Sequence, residues 1–175
     1  FVKRLKNIRR ARISEYVDKY SQALFVDKDA TLDHNPIWKV KADCAFPCAT
    51  ENEINRRDAE HLAAAGVRLV AEGATMPSTS EAVGVFQESG ILYAPGKAAN
   101  AGGVAVSGLE MAQNSMRLSW SRDEVDGRLQ TIMKGIHRTC LDAAEEYGHP
   151  GSYLVGANIA GFLKVVNAMQ DQGLV

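Results

Sequence analysis

Apolar positions alternate between helical and strand spacings through the first hundred residues of this 175-residue chain, and keep helical spacing alone thereafter. Leu5, Ile8, Ile13, Tyr16, Val17 and Tyr20 fit one helix, which leads into a strand at Ala23-Leu24-Phe25-Val26. The polar stretch 27–38 carries Pro36 and reads as a loop. Residues 43–46 are short, apolar and closed by Pro47, the pattern of a buried parallel strand. A helix is predicted over 55–65 with Gly66 as its stop, then a strand over 67–71. Thr79 or Ser80 can cap the next helix, which runs through Ser89 to Gly90 and is followed by the strand Ile91-Leu92-Tyr93-Ala94. Such alternation implies βα units on a parallel sheet of four short strands.

From residue 101 the strands stop, and 101–120, 122–147 and 152–172 read as helices. Ser121 and Glu124 form a capping box for the second of these. Its buried stripe is Val125, Leu129, Ile132, Ile136, Cys140, Ala144 and Tyr147. On the last helix Gly156, Ala157, Ala160 and Gly161 permit close backbone approach, which domain packing explains more simply than a membrane. No G-x-G-x-x-G turn opens the sheet and no ribose-binding acid follows one. The predicted class is therefore α/β: an incomplete Rossmann-type domain, doubly wound with a mostly parallel sheet, followed by C-terminal helices.

With 46% hydrophobic residues the chain can bury a sizeable core as one ordinary domain. The 20 basic and 21 acidic residues leave no net field to attract nucleic acid or an anionic membrane, which favours a metabolic protein. Six cations lie between Lys3 and Arg12 without interleaved aromatics, so a solvated helix face accounts for them. Cys44, Cys48 and Cys140 are odd in number and complete no four-ligand metal motif, so they read as reduced core thiols. His34, His61, His137 and His149 show no ligand spacing and no paired nucleophile, and no catalytic role is assigned to them. No apolar run reaches membrane-span length and no export signal stands at the start. The opening at Phe1 rather than Met reads as that of an excised or incomplete piece.

The chemistry concentrates in Asn100-Ala101-Gly102-Gly103-Val104 and the Ser107 that follows. An amide, a flexible turn opening a helix and one hydroxyl in a small apolar wall suit a polar organic molecule with an apolar middle. Val104, Ser107 and Met111 share a helix face, on which Ser107 can donate to a carboxylate while Val104 packs against methylenes. The same hydroxyl can instead bond back to a carbonyl one turn earlier. Asn100 both donates and accepts, as a carboxamide partner requires, or it serves as a turn residue. Thr50 and Asn52 follow a strand end, where α/β sheets bind ligands, or cap the helix beginning near Asn55. Thr75 repeats that position after the next strand. Lys97 can pair with a phosphate or carboxylate, or stay solvated.

Taken with Pro47-Cys48-Ala49-Thr50-Glu51-Asn52-Glu53 and Glu72-Gly73-Ala74-Thr75-Met76-Pro77, the segment P-G-K-A-A-N-A-G-G-V resembles the hexameric glutamate dehydrogenases, and the likeness runs from about Leu5 to the C-terminus. The resemblance implies reversible oxidative deamination of L-glutamate to 2-oxoglutarate and ammonia, with NADP as coenzyme and NAD as the alternative. It places Ser107 on the side-chain carboxylate of glutamate, Asn100 near the nicotinamide and the reacting carbon, and Thr50 and Asn52 in the cofactor-proximal Ala-Thr-x-Asn segment. Thr75 stands where the family usually has an asparagine directed at the nicotinamide ribose, with shorter reach and one fewer donor. By the same resemblance the catalytic lysine and aspartate belong to an N-terminal domain, so no catalytic residue is assigned here and the isolated chain is expected to be inactive. Residues 1–100 would be the second half of a dinucleotide-binding domain, and 101–175 helices packing across the cleft toward the substrate domain. The complete enzyme would be a cytoplasmic homohexamer with no nucleic-acid or membrane partner. The rival readings are a branched-chain or aromatic amino-acid dehydrogenase, which the Ser107 hydroxyl disfavours, and a non-catalytic nucleotide-binding or assembly remnant.

Overall fold

The computed structural model describes residues 1–26 and 31–173, and the chain divides into two compact units, 1–33 and 34–175. In the first, a π-helical turn Arg4–Ile8 and a helix α1 (Glu15–Lys19) replace the single helix expected over this stretch. Between them Arg10 adopts a left-handed φ of 51°. Lys3, Lys6, Arg9 and Arg10 would stack like charges three and four residues apart in one continuous helix, which disfavours it. Arg9 instead reaches forward to Glu15 at 2.8 Å. The Phe1, Tyr16 and Tyr20 rings cluster, with the Lys19 ammonium 4.4 Å from the centre of the Phe1 ring. The strand expected at Ala23-Leu24-Phe25-Val26 does not form; these residues are irregular, and Leu24 is 87% exposed. Strand propensity alone does not make a strand, which forms only by pairing. Within the predicted loop 27–38, residues 27–30 lie outside the described residues.

The second unit opens with a 3₁₀ turn, Pro36–Lys39, whose first amide is capped by Asn35 Oδ1 accepting from Ile37 N at 3.2 Å. Three parallel strands follow in the order β1 (Cys44–Ala45), β2 (Leu69–Ala71) and β3 (Leu92–Ala94), so among the described residues the sheet has three strands rather than four. The register pairs Ala45 with Val70 and Val70 with Tyr93. Helices α2 (Arg56–Ala64) and α3 (Ser80–Glu88) are the crossovers between successive strands, and they pack against each other. Ala45 and Val70 bury the face of the sheet that they share with Ile54, Ala59, Leu62, Val67, Ala82, Val85, Phe86 and Ile91. Strand alternation sends Cys44, Leu69, Ala71 and Leu92 to the opposite face, where Leu92 is 66% exposed.

The caps follow the sequence closely. Asn55 Oδ1 accepts from Asp58 N at 3.0 Å while Asp58 Oδ2 accepts from Asn55 N at 3.2 Å, a reciprocal box at the start of α2. The remaining Asp58 oxygen accepts from Asn35 N at 2.7 Å, which fastens the 3₁₀ turn to this helix. Thr79 caps α3, accepting from Ala82 N at 3.3 Å, and Gly66 and Gly90 take left-handed conformations just after the two helices, as predicted.

Beyond β3 come α4 (Gly96–Ala99), α5 (Ala101–Ser115), α6 (Arg122–Glu146) and α7 (Tyr153–Gln172). Helix α5 ends five residues before the predicted limit of 120, at a left-handed Arg117, and Gln113 Oε1 then accepts from Trp120 N at 2.7 Å. The Ser121 and Glu124 capping box opens α6 as predicted. On α6 the expected stripe is buried at Cys140 and Ala144 and half-buried from Val125 to Ile136, but Tyr147 at its end is 47% exposed. Gly156 seats α7 so closely on α6 that a Cβ there would stand 1.9 Å from the Cys140 carbonyl oxygen. Gly161 has open space around it and serves no such contact. Of the three thiols only Cys140 is a core residue; Cys44 and Cys48 are exposed, which corrects the expectation that all three are buried. No helix of the described residues is long and apolar enough to cross a membrane, and among them no cluster of His, Cys, Asp and Glu could hold a metal ion.

Candidate functional site

Three loops leave the carboxyl ends of β1, β2 and β3 and are stitched together by their backbones. Gly73 N and Ala74 N both donate to Pro47 O, at 2.9 and 3.0 Å, and Asn52 N donates to Met76 O at 3.1 Å. Asn52 takes a left-handed φ of 53°, a conformation asparagine tolerates better than most residues. Gly73 lies against Cys48 Sγ with no room for a Cβ. Because Asn55 itself caps α2, neither Thr50 nor Asn52 serves as that cap.

The third loop closes the arrangement. Gly96 N, at the start of α4, donates to Glu72 Oε2 at 2.7 Å, and Ser78 N donates to Glu72 Oε1 at 3.3 Å. Four residues further on, Asn100 Nδ2 donates to Ala74 O at 3.2 Å. A cleft of about 1050 Å³ opens over these loop ends, and its wall includes Asn52, Thr75, Asn100, Lys97, Glu72 and Leu154. Such a position, outside the carboxyl ends of parallel strands, is where open α/β sheets take ligands. Lys97 Nζ donates to Asn158 Oδ1, which ties this wall to α7. Burial, and after it the neighbouring Glu72 carboxylate, pushes the Tyr93 hydroxyl well above the usual phenol range, so Tyr93 stays protonated beside that carboxylate.

Asn52, Thr75 and Asn100 are thus gathered around one cleft, whereas Thr50 is exposed on the first loop and is not part of its wall. Val104 and Ser107 lie on α5 outside the cleft, on an exposed face with Met111; Val104 is 74% exposed. Ser107 Oγ donates to Gly103 O at 3.3 Å, the backbone bond that competes with a ligand role. The amide of Asn100 has one further N–H and a carbonyl oxygen for a ligand that both accepts and donates.

The family profile for glutamate/leucine/phenylalanine/valine dehydrogenase matches residues 1–173. The chain belongs to this family. Its relatives include an NADP-specific glutamate dehydrogenase of Giardia intestinalis, 51% identical over 171 residues that cover 98% of this chain and 37% of the relative. A glutamate dehydrogenase of Bacteroides thetaiotaomicron is 52% identical over 175 residues, 100% of this chain and 38% of that protein. The crystal structure of Plasmodium falciparum glutamate dehydrogenase superposes with a TM-score of 0.91 at 43% identity, covering 98% of this chain and 36% of that one. This member of the dehydrogenase family therefore spans a little over a third of the length of the relatives it matches.

Reading the family motifs in sequence missed two features of the cleft. Glu72 lies inside the Glu72-Gly73-Ala74 motif, but nothing in its spacing announces that one carboxylate serves two loops. Lys97 and Asn158 are 61 positions apart, and no local pattern links them.

Proposed function

We propose that this chain forms the coenzyme side of a glutamate dehydrogenase that reversibly converts L-glutamate to 2-oxoglutarate and ammonia with NADP, NAD being the alternative coenzyme. The observation that carries the reading is the convergence of Asn52, Thr75 and Asn100 on one cleft at the carboxyl ends of parallel strands. A large cleft lined by amides and a hydroxyl fits the carboxamide and ribose of a nicotinamide coenzyme, whose contribution when bound is to accept or deliver hydride. In this reading Asn100 orients the carboxamide through its remaining donor and acceptor, Asn52 and Thr75 meet the ribose side, and Thr50 contributes from the first loop, outside the wall. The residues supply binding and orientation, and no proton-transferring residue is assigned within the chain.

Substrate selectivity falls to α5. Ser107 would turn its hydroxyl from Gly103 O to the side-chain carboxylate of glutamate, with Val104 against the methylenes. The exposed face carrying both residues and Met111 suits closure against a separate substrate domain. Residues 1–100 then belong to a Rossmann-type coenzyme domain, and 101–175 are the helices facing the cleft. The complete enzyme is proposed to be a cytoplasmic homohexamer.

The complete protein is expected to reduce NADP⁺ in a glutamate-dependent manner, and far faster with glutamate than with leucine or phenylalanine. Steady-state assays with the three amino acids decide the matter. A preference for leucine or phenylalanine transfers the chain to the other branch of the family, and no turnover with any of them overturns the enzymatic reading.

A further inference from the structure

We propose that Glu72 is the positioning residue of the coenzyme cleft, setting where Asn100 and Thr75 stand relative to each other; the inference rests on the coenzyme reading above. Glu72 follows β2 directly, is 2% exposed, and spends its two carboxylate oxygens on backbone donors of two different loops. Oε1 takes Ser78 N, at the far end of the loop that carries Thr75, and Oε2 takes Gly96 N, at the start of the turn that carries Lys97 and Asn100. Hydrogen bonds to an ionised acceptor are stronger than neutral ones, and a buried backbone donor left without its acceptor is costly.

The links close into a ring. From Glu72 the chain of contacts runs to Gly96, along the four residues of α4 to Asn100, from Asn100 Nδ2 to Ala74 O, and back through Gly73. Gly96 has no slack in it, because a Cβ there would stand 2.7 Å from Ala74 O. Glu72 N also donates to Ala94 O at 3.0 Å, which keeps the residue in line with the sheet. Displacing the carboxylate therefore moves the Asn100 amide against Thr75 at the N-terminal end of α5, about two helical turns before Ser107.

Two substitutions separate this role from bulk stability. Glu72→Gln replaces one acceptor by an amide NH₂, so whichever way the group turns, one loop faces donor against donor. Glu72→Asp keeps the charge but withdraws both acceptors by one methylene. In the complete protein, assayed well below each variant's melting midpoint, KM for NADP⁺ is expected to rise at least about fivefold in both while KM for glutamate stays within about twofold. Leu62→Ala, which opens a cavity in the core under α2 and alters no residue of the cleft wall, should lower the midpoint and leave KM for NADP⁺ unchanged. A folded Glu72 variant whose KM for NADP⁺ stays within about twofold of the parent overturns the proposal. If neither variant folds, amide hydrogen exchange of the parent decides: NADP⁺ should slow exchange at Ser78 and Gly96, and no slowing at either refutes the role. A parent that does not reduce NADP⁺ with glutamate defeats the function reading itself, whereas a working parent with unaffected variants defeats the Glu72 role alone.

Discussion

Ser107 carries a choice between two hydrogen bonds. In the chain as it stands its hydroxyl donates to Gly103 O at 3.3 Å, a long bond on an exposed helix face, so little opposes its rotation toward a ligand carboxylate. Replacing it by valine removes the donor and adds a second γ substituent, leaving a bound carboxylate oxygen unmatched. Ser107→Val in the complete enzyme is expected to lower kcat/KM for glutamate at least about tenfold, equivalent to about 1.4 kcal/mol of transition-state binding. Unchanged glutamate kinetics would remove Ser107 from the pocket. Cys140 shows the opposite situation: burial pushes its thiol up, and Tyr153 beside it is pushed up to about 12, chiefly by burial. Both remain protonated at neutral pH and act as packing groups.

At the scale of elements, the α6–α7 pair rests on one glycine. Gly156 is buried against the Cys140 backbone, and its Cβ-to-be would also meet the Ala144 methyl at 3.1 Å. The obstacle is main chain, so a side-chain rotation cannot relieve it and the helices must move apart. Gly156→Ala is expected to destabilise the fold by about 1–3 kcal/mol, as overpacking of a close contact does. Chemical denaturation followed by far-UV circular dichroism measures it, and a midpoint equal to the parent's would show that the pair adjusts freely. The sequence pattern marked Gly156, Ala157, Ala160 and Gly161 alike as small. Which of them lies at the crossing depends on how α7 is rotated about its axis, and that is set by the packing partner.

The whole chain spans 36–38% of the relatives compared with it, and several of its surfaces are open. Leu92 on the sheet, Val104 and Met111 on α5, and Phe162 and Val165 on α7 are each more than half exposed. The 175-residue chain by itself is expected to show no glutamate-dependent NADPH formation, because the resemblance places the proton-transferring lysine and aspartate in another domain. Formation above background by the purified chain would sink that expectation and call for a catalytic group within these residues.

Much of the fold is legible in the residues alone because it depends on near neighbours. The Asn55–Asp58 and Ser121–Glu124 boxes, the Thr79 cap, the stops at Gly66 and Gly90 and the three short strands all follow from local backbone chemistry and periodicity. Where a continuation depends on distant partners or on accumulated charge, the local pattern misleads. Ala23 to Val26 have the composition of a strand yet are irregular among the described residues, and the cationic turns after Lys3 interrupt a helix that spacing alone would extend. The sequence likewise marked Asn52, Thr75 and Asn100 as site residues, since amides and hydroxyls after strand ends stand out. Tertiary structure alone decided that those three share a cleft while Thr50 and Ser107 lie outside it. The same holds for Glu72 and its grip on two loops, because backbone donors 6 and 24 residues away leave no local trace in a string of side chains.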